Sequence, residues 1–261
     1  MTLVKHELKQ SWKSLTVWTS CIGFFIALCV FMYPEMKGEM ENVSDMFSSM
    51  GAFTAAFGMD RLNFGTLIGF YAIECGNILG IGGAFFASLI AINALAKEEK
   101  ERTAEFLLSQ PISRLRLISE KLAAVMLQII IMNVFVIALA IASFVLIGEE
   151  ILWKEIFLLH LAYFLLQIEL ACICFGISAF LRRSGLGIGL GIATTMYFLN
   201  IVANISKSAE FLKYITPFGY AEAADIIANN SLDIYMVLLG VAFSIMGVAA
   251  AYWKYSRKDI Q

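Results

Sequence analysis

Residues 98–122 read Glu98-Glu-Lys-Glu-Arg-Thr-Ala-Glu-Phe-Leu-Leu-Ser-Gln-Pro-Ile-Ser-Arg-Leu-Arg-Leu-Ile-Ser-Glu-Lys-Leu122. This is a dense charged island between two of the most apolar runs in the chain. Apolar runs of such length belong in lipid, so the island is expected to be a loop at one membrane face. It is more than a tether: helix formers fill it, Thr103 is placed to cap a short helix, and Pro111 is placed to end one.

Working outward, the chain of 261 residues is 60% hydrophobic and 15% charged, with a mean hydropathy of +0.78. That apolar share exceeds that of ordinary globular domains and indicates an all-α integral membrane protein. A crossing helix takes about 20 apolar residues. Six stretches qualify: 14–33, 65–95, 122–147, 156–181, 185–205 and 234–253. Little sequence remains beyond them, so residues 1–261 read as one membrane domain, with the charged loop at 96–121.

Of the nineteen Lys and Arg, fourteen fall in 1–13, 96–121, 182–184 and 254–261, which six crossings place on one side. By the positive-inside rule that side is cytoplasmic and holds both termini. Residues 2–13 pattern as an amphipathic interfacial helix: Val4, Leu8, Trp12 and Leu15 share one face, and Lys5, Lys9 and Lys13 another. The N-terminal run is longer than a signal peptide's apolar core and lacks a small-x-small site, so it reads as a retained anchor.

On the far side, Met36, Met40, Val43, Phe47, Met50 and Phe57 recur at helical spacing among Glu35, Glu39, Glu41 and Asp45. This predicts a second amphipathic helix, its methionines, Met46 included, serving as apolar surface rather than as a thioether copper site. The second span is too long for the bilayer unless it tilts, breaks or projects, and Gly76, Gly80, Gly82 and Gly83 make a bend plausible. Gly185, Gly187, Gly189 and Gly191 form overlapping small-xxx-small pairs for close helix packing or dimer contact. Residues 206–233 read as one or two short interfacial helices broken at 217–219.

The five cysteines all lie in expected spans and read as small buried hydrophobes. No phosphate-binding Gly-x-x-x-x-Gly-Lys-Ser/Thr loop, Gly-x-Ser-x-Gly elbow or His-Glu-x-x-His zinc motif occurs, so no catalytic residue or metal site is expected. Glu74 and Glu169 lie inside spans, where a charge costs about 2.5–3.5 kcal/mol on insertion scales. They are candidates, with Asn77 and Asn133, for a polar substrate path. Alternatively they are held by hydrogen bonds to Asn77, Gln128, Asn133, Gln167 or Asn200 to fix packing.

Topology alone does not account for Glu98, Glu99, Glu101, Glu105 and Glu120 interleaved with the basic residues, because acids contribute little to orientation. Nor does it account for the wedge Phe106-Leu107-Leu108. The stretch resembles the coupling loop of ABC-2 type transporter permeases, Gly-Thr-x-Glu-x-Leu-Leu-x-x-Pro-Val/Ile-Ser-Arg. Thr103, Glu105, Leu107, Leu108, Pro111, Ile112, Ser113 and Arg114 stand in register, and Arg102 replaces the glycine. The interfacial N-terminal helix, the six spans and the tail Tyr255-Ser-Arg-Lys-Asp-Ile260 agree with that family along nearly the whole chain.

The resemblance implies a multi-pass plasma-membrane permease subunit of an exporter that is not itself an enzyme. Soluble ABC ATPase subunits would bind ATP and magnesium, so no cofactor belongs to this chain. A second permease copy, identical or homologous, membrane lipid and an exported substrate complete the expected partners, with no nucleic acid. The coupling contact would comprise Glu98, Glu99, Thr103, Glu105, Phe106, Leu107, Leu108, Pro111, Ser113 and Arg114. The rival reading is a membrane sensor or assembly scaffold that docks an ATPase without moving a substrate.

Overall fold

The computed structural model describes residues 2–97, 113–183 and 185–257, with the side chains of Thr2 and 39–49 left aside. The expected coupling-helix residues Glu98, Glu99, Thr103, Glu105, Phe106, Leu107, Leu108 and Pro111 lie outside the described residues. Among those described, the chain is all helical, and six helices are long and apolar enough to cross a membrane.

The first helix, α1, runs Thr2–Ser49 without interruption, 48 residues or about 72 Å. The interfacial helix, the first span and the start of the outer helix, expected as separate pieces, are one rod. Residues 2–22 contain no Gly or Pro to stop it at the expected boundary. Pro34 does not break it either. Tyr33 donates its hydroxyl to the Gly65 carbonyl at 2.9 Å and Lys37 pairs with Glu149 at 2.9 Å, holding the helix in register on both sides of the proline. A short α2 (Ala52–Ala56) and a 3-10 turn (Met59–Arg61) follow.

The second span has three parts: α3 (Leu67–Cys75), a π-helical stretch (Gly76–Ile81) and α4 (Gly82–Ile92). The break falls on the glycines that suggested a bend. A Cβ on Gly76 would stand 2.8 Å from the Tyr163 hydroxyl, and one on Gly80 3.2 Å from the Tyr163 ring. Of the tilt, break or projection that its length demands, the break is what the described residues show, and α4 ends at Ile92. Asn93 closes it, donating to the Leu89 carbonyl at 3.2 Å and accepting from the Gly185 amide at 3.2 Å.

Helix α5 spans Arg114–Ile147, taking in residues 114–121, which the sequence reading assigned to the loop. Ser113 caps it, its hydroxyl accepting from the Arg116 amide at 3.3 Å, and Arg116 pairs with Glu120 one turn on. Gly148 ends it at φ 73°, a left-handed conformation that suits glycine. Then come α6 (Trp153–Ser178), α7 (Leu186–Ile205), a 3-10 segment (Lys207–Tyr214), α8 (Ala223–Asn229) and α9 (Ile234–Ser256).

Helix α6 is the centre of the bundle, packed by α3–α4, α5 and α9. Its apolar window is 61% buried, against 22% for α7 and 11% for α9, so the last two present broad apolar faces outward. Helices α6 and α9 cross at close range: a Cβ on Gly176 would stand 2.5 Å from the Gly247 carbonyl oxygen, and one on Gly247 2.5 Å from that of Cys172. Gly185 and Gly189 pack on Ser88 and Ile92 of α4, whereas Gly187 and Gly191 face open space. Cys21 departs from the expected burial of the cysteines; it is exposed on α1, while Cys75, Cys172 and Cys174 are buried.

The described chain ends gather at one end of the bundle. There the Leu3 amide donates to Glu120 at 3.1 Å, the Ser119 and Tyr252 hydroxyls meet at 2.6 Å, and Arg114 donates to the Ser256 carbonyl at 3.3 Å.

Candidate functional site

Two regions carry polar chemistry: the bundle interior, and the end where residues 93–97 and 113–121 meet.

In the interior, the four sequence-predicted residues fall into separate contacts. Asn133 of α5 donates to Gln167 of α6 at 2.6 Å and to the Ile129 carbonyl at 2.9 Å. Gly83 makes room for Gln167, because a Cβ there would overlap its side-chain amide. Glu169, 3% exposed, accepts from the Tyr220 hydroxyl at 2.9 Å, and Gly240 of α9 leaves space for its carboxylate. Glu74 meets the Cys29 thiol of α1 at 3.9 Å. Asn77 lines a cavity beside the π-helical stretch.

The amides expected, on the alternative reading, to hold the two acids are not their partners: Tyr220 meets Glu169 and Cys29 meets Glu74. Asn133 and Gln167 bond to each other, Gln128 donates to the Ala124 carbonyl at 3.2 Å, and Asn200 serves a different acid, Glu222. The acids are held by residues of other segments because helix rotation, not sequence spacing, decides which polar groups face each other.

That cavity, about 50 Å³, is lined by Gly76, Asn77, Tyr163, Tyr197, Asn200 and Glu222, and has room for a few water molecules. Glu222 is its one acidic wall and only 8% exposed. One carboxylate oxygen accepts from Asn200 at 3.0 Å and Asn204 at 2.9 Å; the other lies 3.7 Å from the Arg61 guanidinium. Arg61 also binds Asp225, which stands 3.8 Å from Lys213. Segment 216–226 was expected at the interface but is built into the bundle. Thr216, Phe218, Tyr220 and Glu222 are buried, and the Thr216 hydroxyl donates to the Met196 carbonyl at 2.8 Å. Irregular backbone within a membrane protein needs such protein cover.

Sequence reading missed Glu222, Tyr220 and Arg61. The available signal was a lone acid in the run Tyr220-Ala-Glu-Ala-Ala224 just after the Pro217 turn. Elsewhere in the interior, the Tyr71 hydroxyl and His160 Nε2 meet at 2.7 Å. The buried amide atoms Asn133 Oδ1, Gln167 Nε2 and Asn200 Oδ1 have no hydrogen-bond partner among the described residues. Such atoms are few in folded proteins.

At the other region, Ser113 and Arg114 are the two described members of the expected coupling contact. Ser113 caps α5 and Arg114 reaches the end of α9. The turn leaving α4 and the first turns of α5 lie side by side, joined where Lys121 donates to the Ala94 carbonyl at 2.7 Å. Residues 98–112 connect these two stems.

Compared with known proteins, residues 1–260 match a family model described as ABC-2 family transporter protein. No curated protein matches the sequence.

Proposed function

The chain belongs to the ABC-2 family of transporter proteins, and from that premise we propose that it is the permease subunit of an exporter driven by a separate ATPase. Residues 98–112 carry the family's coupling pattern, and their stems meet at the end of the bundle that holds both described chain ends. That is the observation on which the proposal stands.

In this reading 103–110 forms the docking helix. Phe106 and Leu107 enter a cleft of the ATPase, Leu108 and Pro111 shape the segment, and Glu98, Glu99, Thr103, Glu105, Ser113 and Arg114 fix its register. ATP and magnesium are bound by the partner. The docking end is cytoplasmic, in keeping with its share of Lys and Arg. The substrate path runs along the polar interior, from the Asn77–Glu222 cavity past Glu74, Glu169 and Asn133. Support for such a path comes from the polar side chains Asn133, Gln167, Glu169, Asn200 and Glu222 buried in an otherwise apolar interior. A second permease copy seats against the outward faces of α7 and α9, where Gly187 and Gly191 permit close approach.

Affinity purification of the tagged chain from native membranes tests the proposal. A stoichiometric soluble ATPase is expected, lost when Phe106 and Leu107 are replaced by Asp, and its hydrolysis is stimulated by substrate in the reconstituted complex. An ATPase that binds but gives no transport would favour a scaffold. Absence of any ATPase would sink the coupling assignment.

A further inference from the structure

Lys121 is 1% exposed, an unusual position for an ammonium group. Its Nζ donates to the Ala94 carbonyl at 2.7 Å, in the turn that leaves α4, and to Glu7 of α1 at 3.2 Å. The second carboxylate oxygen of Glu7 lies 4.0 Å from Lys97. Next door, Glu120 accepts from the Leu3 amide at 3.1 Å and from Arg116 at 2.9 Å. Leu3, Leu95 and Leu117 share one apolar cluster beneath these pairs. The start of α1 and both stems of 98–112 are thus knotted around one buried cation.

We infer that Lys121 is a positioning residue that makes the first turns of α1 move as one body with the two stems of the 98–112 segment. The inference rests on the coupling role proposed above, but it assigns a part of the moving machinery outside the docking segment. The physical ground is the cost of a buried charge. An ammonium cut off from its acceptors in an apolar setting is strongly unfavourable, so Ala94 and Glu7 follow wherever Lys121 goes. Glu7 supplies the second argument. An interfacial anchor needs Lys5 and Lys9 outward, where they are exposed, but has no need of an acid turned inward between them. That acid faces the root of the loop.

The test uses the full permease in nanodiscs, alone and with its ATPase, in the wild type and two variants. Lys121→Met keeps the apolar stem without the charge. Glu7→Ala changes a partly exposed residue and keeps the test open should the first variant fold poorly. On the permease alone, hydrogen–deuterium exchange is expected to show residues 2–13 and 93–97 losing protection together, while 153–178 is unchanged. In the complex, transport per ATP hydrolysed is expected to fall about tenfold at equal protein with hydrolysis retained, a ratio that mere loss of folded protein would not move.

Unchanged exchange at 2–13 overturns the inference. So does an unchanged transport-to-hydrolysis ratio in a variant whose exchange has changed. Failure of the wild type itself to couple ATP hydrolysis to transport is the separate result that would remove the reading beneath it, and exchange would then decide the clamp alone.

Discussion

The hydroxyl of Tyr220 donates to the carboxylate of Glu169 at 2.9 Å, tying an irregular segment between α7 and α9 to the central helix. Glu169 is buried, and Gly240 of α9 leaves the space in which its carboxylate sits. Removing the donor leaves an acceptor in the interior with nothing to replace it. Tyr220→Phe is expected to lower stability by about 1 kcal/mol, within the range measured between membrane helices. Glu169→Gln, which keeps an acceptor at the same place, should cost less. Thermal unfolding in detergent checks the order; equal midpoints for wild type and Tyr220→Phe would show that the bond contributes nothing.

Glu222 should matter more than the cation beside it. Its carboxylate accepts from two asparagines in a buried setting, whereas Arg61 is 38% exposed and shared with Asp225. Hydrogen bonds to a charged group are worth about 1.5–3 kcal/mol each, so Glu222→Ala is expected to cost about 3 kcal/mol. Arg61→Ala is expected to cost less than about 1 kcal/mol because solvent screens its pairs. Denaturant titrations of the two variants would expose a reversed order.

The glycines divide into two functional sets. Gly247→Leu drives a side chain into the α6 backbone and should destabilise by about 1–3 kcal/mol or more, seen as loss of monodisperse protein. Gly191→Leu meets open space and should leave the isolated chain's melting point unchanged. If α7 forms the contact between permease copies, the same substitution should abolish cross-linking of pairs in membranes. Pairs that survive Gly191→Leu would move the contact elsewhere.

Docking is predicted to hinge on Phe106 and Glu105. Truncating an anchoring aromatic costs about 2 kcal/mol of binding, or roughly 30-fold in affinity. Phe106→Ala and Glu105→Lys should therefore suppress transport while the protein inserts at wild-type levels. Full transport by both would remove the coupling assignment, and membrane fractionation with a transport assay distinguishes the outcomes.

What could be read without coordinates was local in character. The six spans, their approximate limits and the charged end follow from lengths of apolar sequence and the distribution of Lys and Arg. Each of these signals acts on the residues that carry it. The glycines of 76–83 marked where the second span departs from a regular helix, and Pro217 and Gly219 marked the break before α8. Ser113 as a cap is equally legible, yet hydropathy alone starts this helix at 122, because its first eight residues are charged and amphipathic and continue the helix beyond the apolar run.

Tertiary structure decided which groups meet. Glu169 could have faced any of several amides, but the rotation of α6 and the burial of 216–226 give it Tyr220. Glu222 owes its buried place to Asn200 and Asn204 of α7, which both donate to it. Within the run at 185–191 only Gly185 and Gly189 turn out to be close-packed, and Gly176 and Gly247, 71 positions apart, join them at a second crossing. Hydrophobic length and charge bias belong to the sequence because each residue contributes them alone. Partnership belongs to the fold, because it depends on the relative rotation and crossing of helices far apart in the chain.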